Sequence, residues 1–418
     1  MKKKIAAILM CGVMAASLLT GCGSSDSGSQ NTSAGETKAA DTQAEGQGTE
    51  GTGEEVSAVT LDGSWPAQKV TIGVEAFDTT DEQFLALQEY LDYLTEYYNI
   101  EFMYSESIAN AEGEMDFIDS CASAGCKAIL AYYNVAGAEA IQRTIDQGMY
   151  YWGTEQYAAD FEDNEMYLGC YTFTEEGKAE NGDYLGGYEL GYSLGKQGVQ
   201  HVFYCNGGAS FGIQMFIDRQ AGFEAGVAAA QAEGAEIQYD ASKDVIEGWP
   251  GTDDFTAAVG AKLAEDYDGA AVSFNAATLF QPIADAGKNG QIKIAAIGGV
   301  NDTYYDAVQN GEISTIVYDC EEVVFGNAVA QILNAVTGHV DKTRTADNKC
   351  GKILTYRWTI TDTDTFNQIY DYHDSGNYFV SAQDLTNCLA EFNPDVTFED
   401  VAAYYTAFDL DTAIAGIQ

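Results

Sequence analysis

Residues 69–98, "KVTIGVEAFDTTDEQFLALQEYLDYLTEYY", contain the unit from which the fold is built. The first part, "KVTIGVEAF", is a short and mostly apolar run, typical of a strand buried in a parallel sheet. From Asp81 onward, apolar residues recur at helical spacing, and Asp81 and Glu82 lie in the first turn, where acidic residues are favoured. The stretch therefore predicts a strand followed by a helix.

The same order recurs along the chain. Predicted strands "IEFMYS", "KAILAYY" and "MYYWGT" alternate with helical patterns, and after a glycine-rich segment and the helix "DYLGGYELGYSLGKQG" the order begins again. The second series contains the predicted strands "HVFYCNG", "AEIQYDA", "GAAVSFN", "IKIAAIGG" and "ISTIVYD". We predict an α/β fold with two Rossmann-like lobes, each with a parallel sheet, and a hinge-spanned cleft between them. A C-terminal helical extension is also predicted, because "SAQD" and "TFED" have the capping-box pattern of helix starts.

The composition separates the chain into regions with different predicted roles. Residues 1–21 have a basic start and a short apolar run, the pattern of a secretory signal peptide. Their end, "LLTGC", resembles the lipobox of bacterial lipoproteins, which implies lipid, including palmitate, on Cys22. Signal cleavage that leaves Cys22 unmodified is the alternative. The predicted regions are a lipoprotein signal peptide (1–21), a flexible acidic Gly/Ser/Thr-rich linker (22–66), a first lobe (67–175, with 315–350 returning to it), a second lobe (176–314), and a C-terminal crossing and helical extension (351–418).

Charge and cysteine usage exclude several classes of function. The formal net charge of −46 leaves no basic surface for phosphates, so we predict no nucleic-acid partner. Seven cysteines follow Cys22, an odd number without zinc or redox spacing, and we predict buried apolar side chains rather than a metal site. The segment "NGGASFG" lacks the lysine of a phosphate-binding loop and is better explained as a tight turn at the cleft rim. No cofactor is predicted.

Three local motifs carry a resemblance to a known family. They are "RQAGF" (219–223), "VSFNAAT" (272–278) and "DTYYDAVQNGEISTIVYD" (302–319). With the element order, they make residues 69 to about 362 similar to the type I periplasmic binding proteins, the sugar-binding class that includes ribose- and galactose-binding proteins and the effector domain of the lactose repressor. The resemblance implies a cleft ligand held by the residues that follow the strands.

Arg219 and Asn275 are the candidates that match the family's motifs. The resemblance implies that Arg219 donates paired hydrogen bonds to a ligand, and the alternative is a surface salt bridge with Asp218 or Glu224. Asn275 has both a donor and an acceptor for a polyol, although it is also a good helix N-cap. The sequence departs from the family at Gly299, where an Asp is usual, and at "GTEQ" (153–156), where an Asp-Arg pair is common.

Other candidates were selected by their position after strands. Aromatic residues there would stack on a sugar ring, although each is also a common core residue. Glu155 would accept from hydroxyls or a cationic group, or be a solvated loop charge. The predicted ligand-binding residues are Phe77, Asp78, Phe84, Trp152, Glu155, Arg219, Trp249, Asn275, Asn301, Tyr318 and Asp319.

The function predicted from these observations is binding without catalysis. We expect a lipoprotein anchored at the extracytoplasmic face of the cell membrane that binds a small polar solute, a sugar or sugar derivative, for the permease subunits of an ABC importer. A ligand sensor with the same fold, acting on a membrane receptor or kinase, is the alternative. A surface glycan hydrolase is a third hypothesis, for which pairs such as Glu155 with Asp78 or Asp319 would supply the two carboxylates.

Overall fold

The computed structural model describes residues 61–155 and 157–417. The predicted signal peptide, Cys22 and the linker as far as residue 60 lie outside the described residues. Within the described part, no helix combines the length and the apolar composition needed to cross a membrane.

The first sheet has six parallel strands in the spatial order β2-β1-β3-β4-β5-β11. Its strands are β1 (Val70–Glu75), β2 (Ile100–Tyr104), β3 (Ala128–Ala131), β4 (Tyr150–Gly153), β5 (Tyr167–Thr172) and β11 (Lys352–Leu354). The inner strands β1, β3, β4 and β5 are almost continuously buried, which reflects helices on both faces of the sheet, whereas the edge strands β2 and β11 are partly exposed.

The second sheet repeats the arrangement in the order β7-β6-β8-β9-β10-β12. Its strands are β6 (Val202–Asn206), β7 (Val245–Glu247), β8 (Gly269–Val272), β9 (Lys293–Gly298), β10 (Ile313–Tyr318) and β12 (Trp358–Ile360). Only the edge strand β12 is antiparallel to its neighbour. The prediction of two α/β lobes with parallel sheets is therefore confirmed, with this one antiparallel edge.

Two details of the second sheet differ from the sequence prediction. The predicted strand "AEIQYDA" makes only one bridge, from Gln238 to His201, because Asp240 then bonds Ser242 in a turn and regular pairing begins at Val245. Residues 315–318 pair with β9, so the chain leaves the second sheet after Tyr318 rather than at residue 315.

Thirteen helices connect and cover the two sheets in the described residues. On the first lobe lie α1 (Glu82–Leu94), α2 (Ala111–Ala124), α3 (Ala138–Asp146), α9 (Glu321–Val336), α11 (Ala382–Leu385) and α12 (Phe398–Thr406). On the second lie α4 (Gly182–Lys196), α5 (Gln214–Ala232), α6 (Asp253–Leu263), α7 (Ala277–Asp285), α8 (Asp302–Gln309), α10 (Thr363–Asp374) and α13 (Leu410–Ile417). Local signals set several starts: the Asp81 side chain accepts from the Gln83 and Phe84 amides at the start of α1.

The chain passes between the two lobes at three short segments before the C-terminal extension begins. They follow β5, β10 and β11, and the last two are only a few residues long (319–320 and 355–357). The C-terminal extension adds two further passages. Helix α10 packs on α8 of the second lobe. Helices α11 and α12 then return to the first lobe, and α13 packs on α10. Both predicted capping boxes are present, at Ser381 and Thr397. The extension therefore connects both lobes a second time.

The helices α4 and α5 touch backbone to backbone, and glycine makes this contact possible. A Cβ added to Gly187 would lie 1.9 Å from the Arg219 carbonyl oxygen, and one on Gly222 would lie 1.9 Å from that of Tyr184. An added Cβ would lie 2.1 Å from the Tyr188 carbonyl oxygen at Gly226 and 2.4 Å from the Phe223 carbonyl oxygen at Gly191. No side chain fits at these distances, so the glycines let α4 pack directly against the middle of α5, from Arg219 to Val227.

Candidate functional site

Five charged side chains meet where the crossing segments pass between the lobes, and we call them the charged floor. Its members are Glu155, Asp183, Arg219, Asp319 and Arg357. Glu155 follows β4, Asp183 and Arg219 lie in the closely packed helices α4 and α5, and Asp319 and Arg357 are in two of the crossings. Glu155 and Asp319 lie just beyond the carboxyl ends of β4 and β10, and Asp183 lies in the first turn of α4, the positions at which ligands bind in open α/β sheets.

Arg219 is buried and directed inward. Its Nε donates to Asp183 Oδ1 at 2.8 Å, and its Nη1 donates to the Ser273 carbonyl oxygen at 2.7 Å. The alternative of an outer salt bridge is wrong, because Asp218 instead accepts from Asn181 and Gln214. Arg219 therefore belongs to the cleft, with part of its hydrogen-bonding capacity already used by the protein.

Arg357 was not identified from the sequence, yet it is the centre of the floor. Its Nε donates to Asp319 Oδ1 at 2.8 Å, its Nη1 lies 3.3 Å from Asp183 Oδ1, and its guanidinium lies 4.2 Å from the Phe173 ring centroid. The available signal was its rarity: it is one of four arginines in the chain and stands in the segment "LTYRWTI". Recognising that segment as a crossing between two edge strands required the sheet topology.

The electrostatics of the floor separate its carboxylates into two kinds. Burial alone would raise the pKa of Asp183, but the charges of Arg219 and Arg357 outweigh it and lower that pKa. For Glu155 burial dominates and raises the pKa, despite the nearby Arg357. Glu155 makes no ion pair within the described chain, so it is the floor acid that is best placed to accept from a ligand hydroxyl or ammonium group.

Aromatic rings from both lobes meet at the mouth of the cleft. Phe77, which follows β1, lies 5.1 Å from Tyr133 and 6.0 Å from Trp249 of the second lobe, measured between ring centroids. Trp249 in turn contacts Phe216. Phe77 and Trp249 are 40% and 41% exposed, so the structure brings together two predicted residues that offer ring surface to solvent.

A polar bridge connects the lobes beside the floor. The Tyr304 hydroxyl donates to Glu82 Oε1 at 2.5 Å and also lies 3.0 Å from Asn275 Oδ1, while Asn301 Nδ2 donates to Glu82 Oε2 at 3.1 Å. Asn275 Oδ1 also accepts from the Ala277 amide, so Asn275 supports the start of α7, and Asn301 caps α8. Glu82 and Tyr304 were not predicted.

Four of the predicted ligand-binding residues have structural roles instead, three in the hydrophobic core and one in a turn. Phe84 and Trp152 are core residues: Phe84 packs on Tyr132, and Trp152 has no exposed surface and lies against Tyr171 and Phe325. Tyr318 is buried against Trp358. Trp152 and Tyr318 lie at or next to the last residue of buried strands, and Phe84 lies in the first turn of α1; in each case the large ring fills the core beneath it.

Asp78 is exposed, and its Oδ1 accepts from the Thr80 amide at 2.9 Å and from the Thr80 hydroxyl at 2.8 Å. It therefore stabilises the turn before α1.

The departures from the family pattern also have a structural explanation. A Cβ at Gly299 would lie 2.9 Å from Asn301 Nδ2, so Asn301 fills the space in which a side chain at position 299 would stand. At "GTEQ", Glu155 belongs to the floor, whereas Gln156 lies outside the described residues. The seven cysteines from Cys121 to Cys388 are buried free thiols, as predicted. No group of three or more His, Cys, Asp or Glu side chains in the described residues is arranged to hold a metal ion.

Comparison with known proteins identifies the fold. No protein-family model matches the sequence, and no curated protein matches it either. Among solved structures, a galactofuranose binding protein aligns over 73% of this chain and 99% of its own, with a TM-score of 0.55 and 16% identity.

An ABC transporter periplasmic solute binding protein from Actinobacillus succinogenes with bound D-allose aligns over 72% of this chain and 99% of its own, with a TM-score of 0.55 and 14% identity. The Escherichia coli transcriptional repressor ascG aligns over 70% of this chain and 98% of its own, with a TM-score of 0.52 and 14% identity. The order of the two sheets, the three crossings and these alignments together give the chain the two-lobed fold of the type I periplasmic binding proteins.

Proposed function

We propose that this protein is a solute-binding protein that closes its two lobes on a small polar ligand, a sugar or sugar derivative. The charged floor carries the proposal: Arg219, Arg357 and three carboxylates form a hydrogen-bonding surface at the base of a cleft whose mouth has aromatic rings from both lobes. Alternating polar and aromatic surfaces suit the hydroxyls and the apolar ring faces of a sugar. The sugar-binding structural neighbours support the same class of ligand.

Membrane anchoring and transport belong to this proposal. The lipobox-like "LLTGC" supports a lipid on Cys22 at the extracytoplasmic face of the membrane, and the fold supports delivery to the permease of an ABC importer. Labelling with a radioactive fatty acid should mark the wild-type chain and not Cys22→Ser. Retention of the label in that variant would contradict lipidation at Cys22.

The ligand test combines native mass spectrometry with a thermal-shift screen of sugars and polyols. We expect one small molecule per chain, and a Tm that rises with ligand concentration because ligand binds only the folded state. Trp249→Ala should weaken binding about tenfold through lost ring contact. Tyr192→Ala is the matched control, since Tyr192 contacts Glu233 and Lys196 on the outer face of the second lobe. The proposal would be contradicted if no compound in a broad panel raised Tm, or if Trp249→Ala and Tyr192→Ala lost the same affinity for the ligand.

A sensor that passes the closed form to a receptor or kinase would bind its ligand in the same way. Capture of membrane partners with the lipidated chain separates the two, because co-purification of permease subunits supports transport and that of a kinase supports sensing. Catalysis is disfavoured because guanidinium groups occupy oxygens of Asp183 and Asp319, which weakens either as a nucleophile. Turnover of the identified ligand by the pure protein would contradict this assignment.

A further inference from the structure

A cavity lies between the lobes, and Phe77, Tyr133 and Trp249 are not among the residues that line it. Its volume is 390 Å³, and its walls are α1 of the first lobe, the start of α8, the segment that leads into α9, and the end of α10. We call it the flank groove. It shares Glu82, Asn301, Tyr318 and Asp319 with the residues considered above for the cleft, but Tyr370, His373 and Asp374 of the C-terminal extension also line it.

The charge of the flank groove is strongly one-sided. Seven carboxylate side chains line it, with no lysine or arginine among its described lining residues, and its one histidine, His373, already bonds Glu322 at 2.7 Å. Glu82 and Glu89 come from the first lobe, whereas Asp302 and Asp374 come from the second. Closure therefore brings like charges towards each other across the groove, and a bound cation would offset their repulsion.

Glu321 provides an independent sign that the groove is incomplete without a ligand. Glu321 lines the groove but is only 3% exposed, and its Oε2 has no hydrogen-bond partner in the described part of the chain. A buried carboxylate oxygen without a donor is costly, and native structures rarely leave one unexplained. The other groove acids Glu82, Asp302 and Glu322 each accept a hydrogen bond from a protein side chain.

The arrangement favours an organic cation over a metal ion. No three possible ligands are clustered closely enough for a metal within the described residues. An ammonium group needs only one or two acceptors at each position, and the groove is lined by seven carboxylates together with Tyr370 and Tyr378, whose rings can also attract a cation. We propose that the flank groove is a second ligand site, which binds an aliphatic di- or polyamine with one ammonium group donating to Glu321.

Binding at this site should release protons. Burial raises the pKa of Glu321 well above its ordinary value, and the neighbouring Asp319, Asp81 and Glu322 raise it further, against the opposing charge of Arg357. Tyr132 also faces this carboxyl group, and burial raises the pKa of its hydroxyl, so that hydroxyl stays neutral. An ammonium group beside Glu321 favours its ionised form, so amine binding should lower the pKa of this carboxyl group and favour release of its proton.

The test is calorimetric titration of spermidine into the mature chain at 150 mM NaCl, a salt concentration that screens weak surface association. We expect one saturable site, and a binding enthalpy that differs between phosphate and Tris buffers because a proton is released. Glu321→Gln should weaken binding by about tenfold or more and abolish the buffer dependence. The uncharged 1,8-octanediol should not bind.

Two further variants keep the result interpretable. Glu89→Gln changes an exposed groove acid that cannot affect the core, and it should weaken spermidine binding several-fold; Glu236→Gln, an exposed acid outside the groove, should leave it unchanged. The proposal would be overturned if the wild type showed no saturable binding. It would also be overturned if Glu321→Gln and Glu236→Gln bound spermidine with equal affinity, because that result would show a general attraction to an acidic protein. The sugar screen contains no spermidine, so a lack of sugar binding in the cleft and a lack of spermidine binding in the flank groove are detected independently.

Discussion

Gly222 is the position at which two physical effects predict opposite results for one substitution. In an exposed helix, Gly→Ala stabilises a protein by about 0.5–1 kcal/mol because alanine loses less backbone entropy. At Gly222 the new Cβ would lie 1.9 Å from the Tyr184 carbonyl oxygen, whereas real Cβ atoms essentially never come within 3.0 Å. The helices α4 and α5 must therefore separate by at least 1.1 Å (3.0 − 1.9).

The structure indicates which effect is larger. Overpacking usually costs about 1–3 kcal/mol, and here both clashing partners are helix backbone, which cannot rotate away. We expect Gly222→Ala to lower the free energy of unfolding by about 2 kcal/mol after the propensity gain. Ligand affinity should also fall, because separation of the helices moves Arg219 away from Asp183.

Gly260 in α6 supplies the matched control, since an added Cβ there meets no atom within 4 Å. Gly260→Ala should therefore stabilise the protein by about 0.5–1 kcal/mol. Urea unfolding of both variants, followed by far-UV circular dichroism and by tyrosine fluorescence, measures the two changes. If Gly222→Ala were as stable as the wild type, the close helix contact and the placement of Arg219 that depends on it would be refuted.

Three further substitutions test buried charges. Arg357→Met should destabilise by about 3–5 kcal/mol in urea unfolding, because its two carboxylate partners stay buried without it; a loss below about 1 kcal/mol would contradict the floor geometry. Burial raises the pKa of Glu75 well above 4.5, and the charge of Glu114 raises it further. The neutral Glu75 side chain is therefore favoured in the folded protein, and this contribution to stability is lost as the pH rises through the folded pKa. Glu75→Gln should accordingly raise Tm more at pH 8 than at pH 5. The attraction between His373 and Glu322 outweighs the effect of burial, so the pKa of His373 is raised above 6.5 and the pKa of Glu322 is lowered below 4.5. Both groups are therefore charged, and the pair stabilises the fold most, between pH 4.5 and 6.5. His373→Gln should therefore lower Tm most in that window and less at pH 9, and a loss independent of pH would argue against an ion pair.

Part of the candidate site could be predicted from the sequence. Phe77 and Glu155, which follow strands, and the motif residue Arg219 lie where the two lobes meet, because parallel strands present their carboxyl ends at one edge. Trp152 lies near the end of its own strand, β4, and yet is a core residue. The apolar pattern around a strand end does not distinguish the two cases, because only the packing above each strand end decides which ring is covered.

The sequence by itself determined the alternation of strands and helices, and with it two parallel-sheet lobes, because apolar periodicity and helix-start signals are local properties. It also contained the glycines of "RQAGFEAG" and "DYLGGYELGY" without showing their purpose. Tertiary structure decided that these glycines face each other across α4 and α5, and that Arg219 thereby meets Asp183. It likewise decided the position of Arg357 and the flank groove, because both depend on crossings and C-terminal helices that bring together residues far apart in the chain. Such long-range contacts depend on the relative placement of whole elements, which no local pattern records.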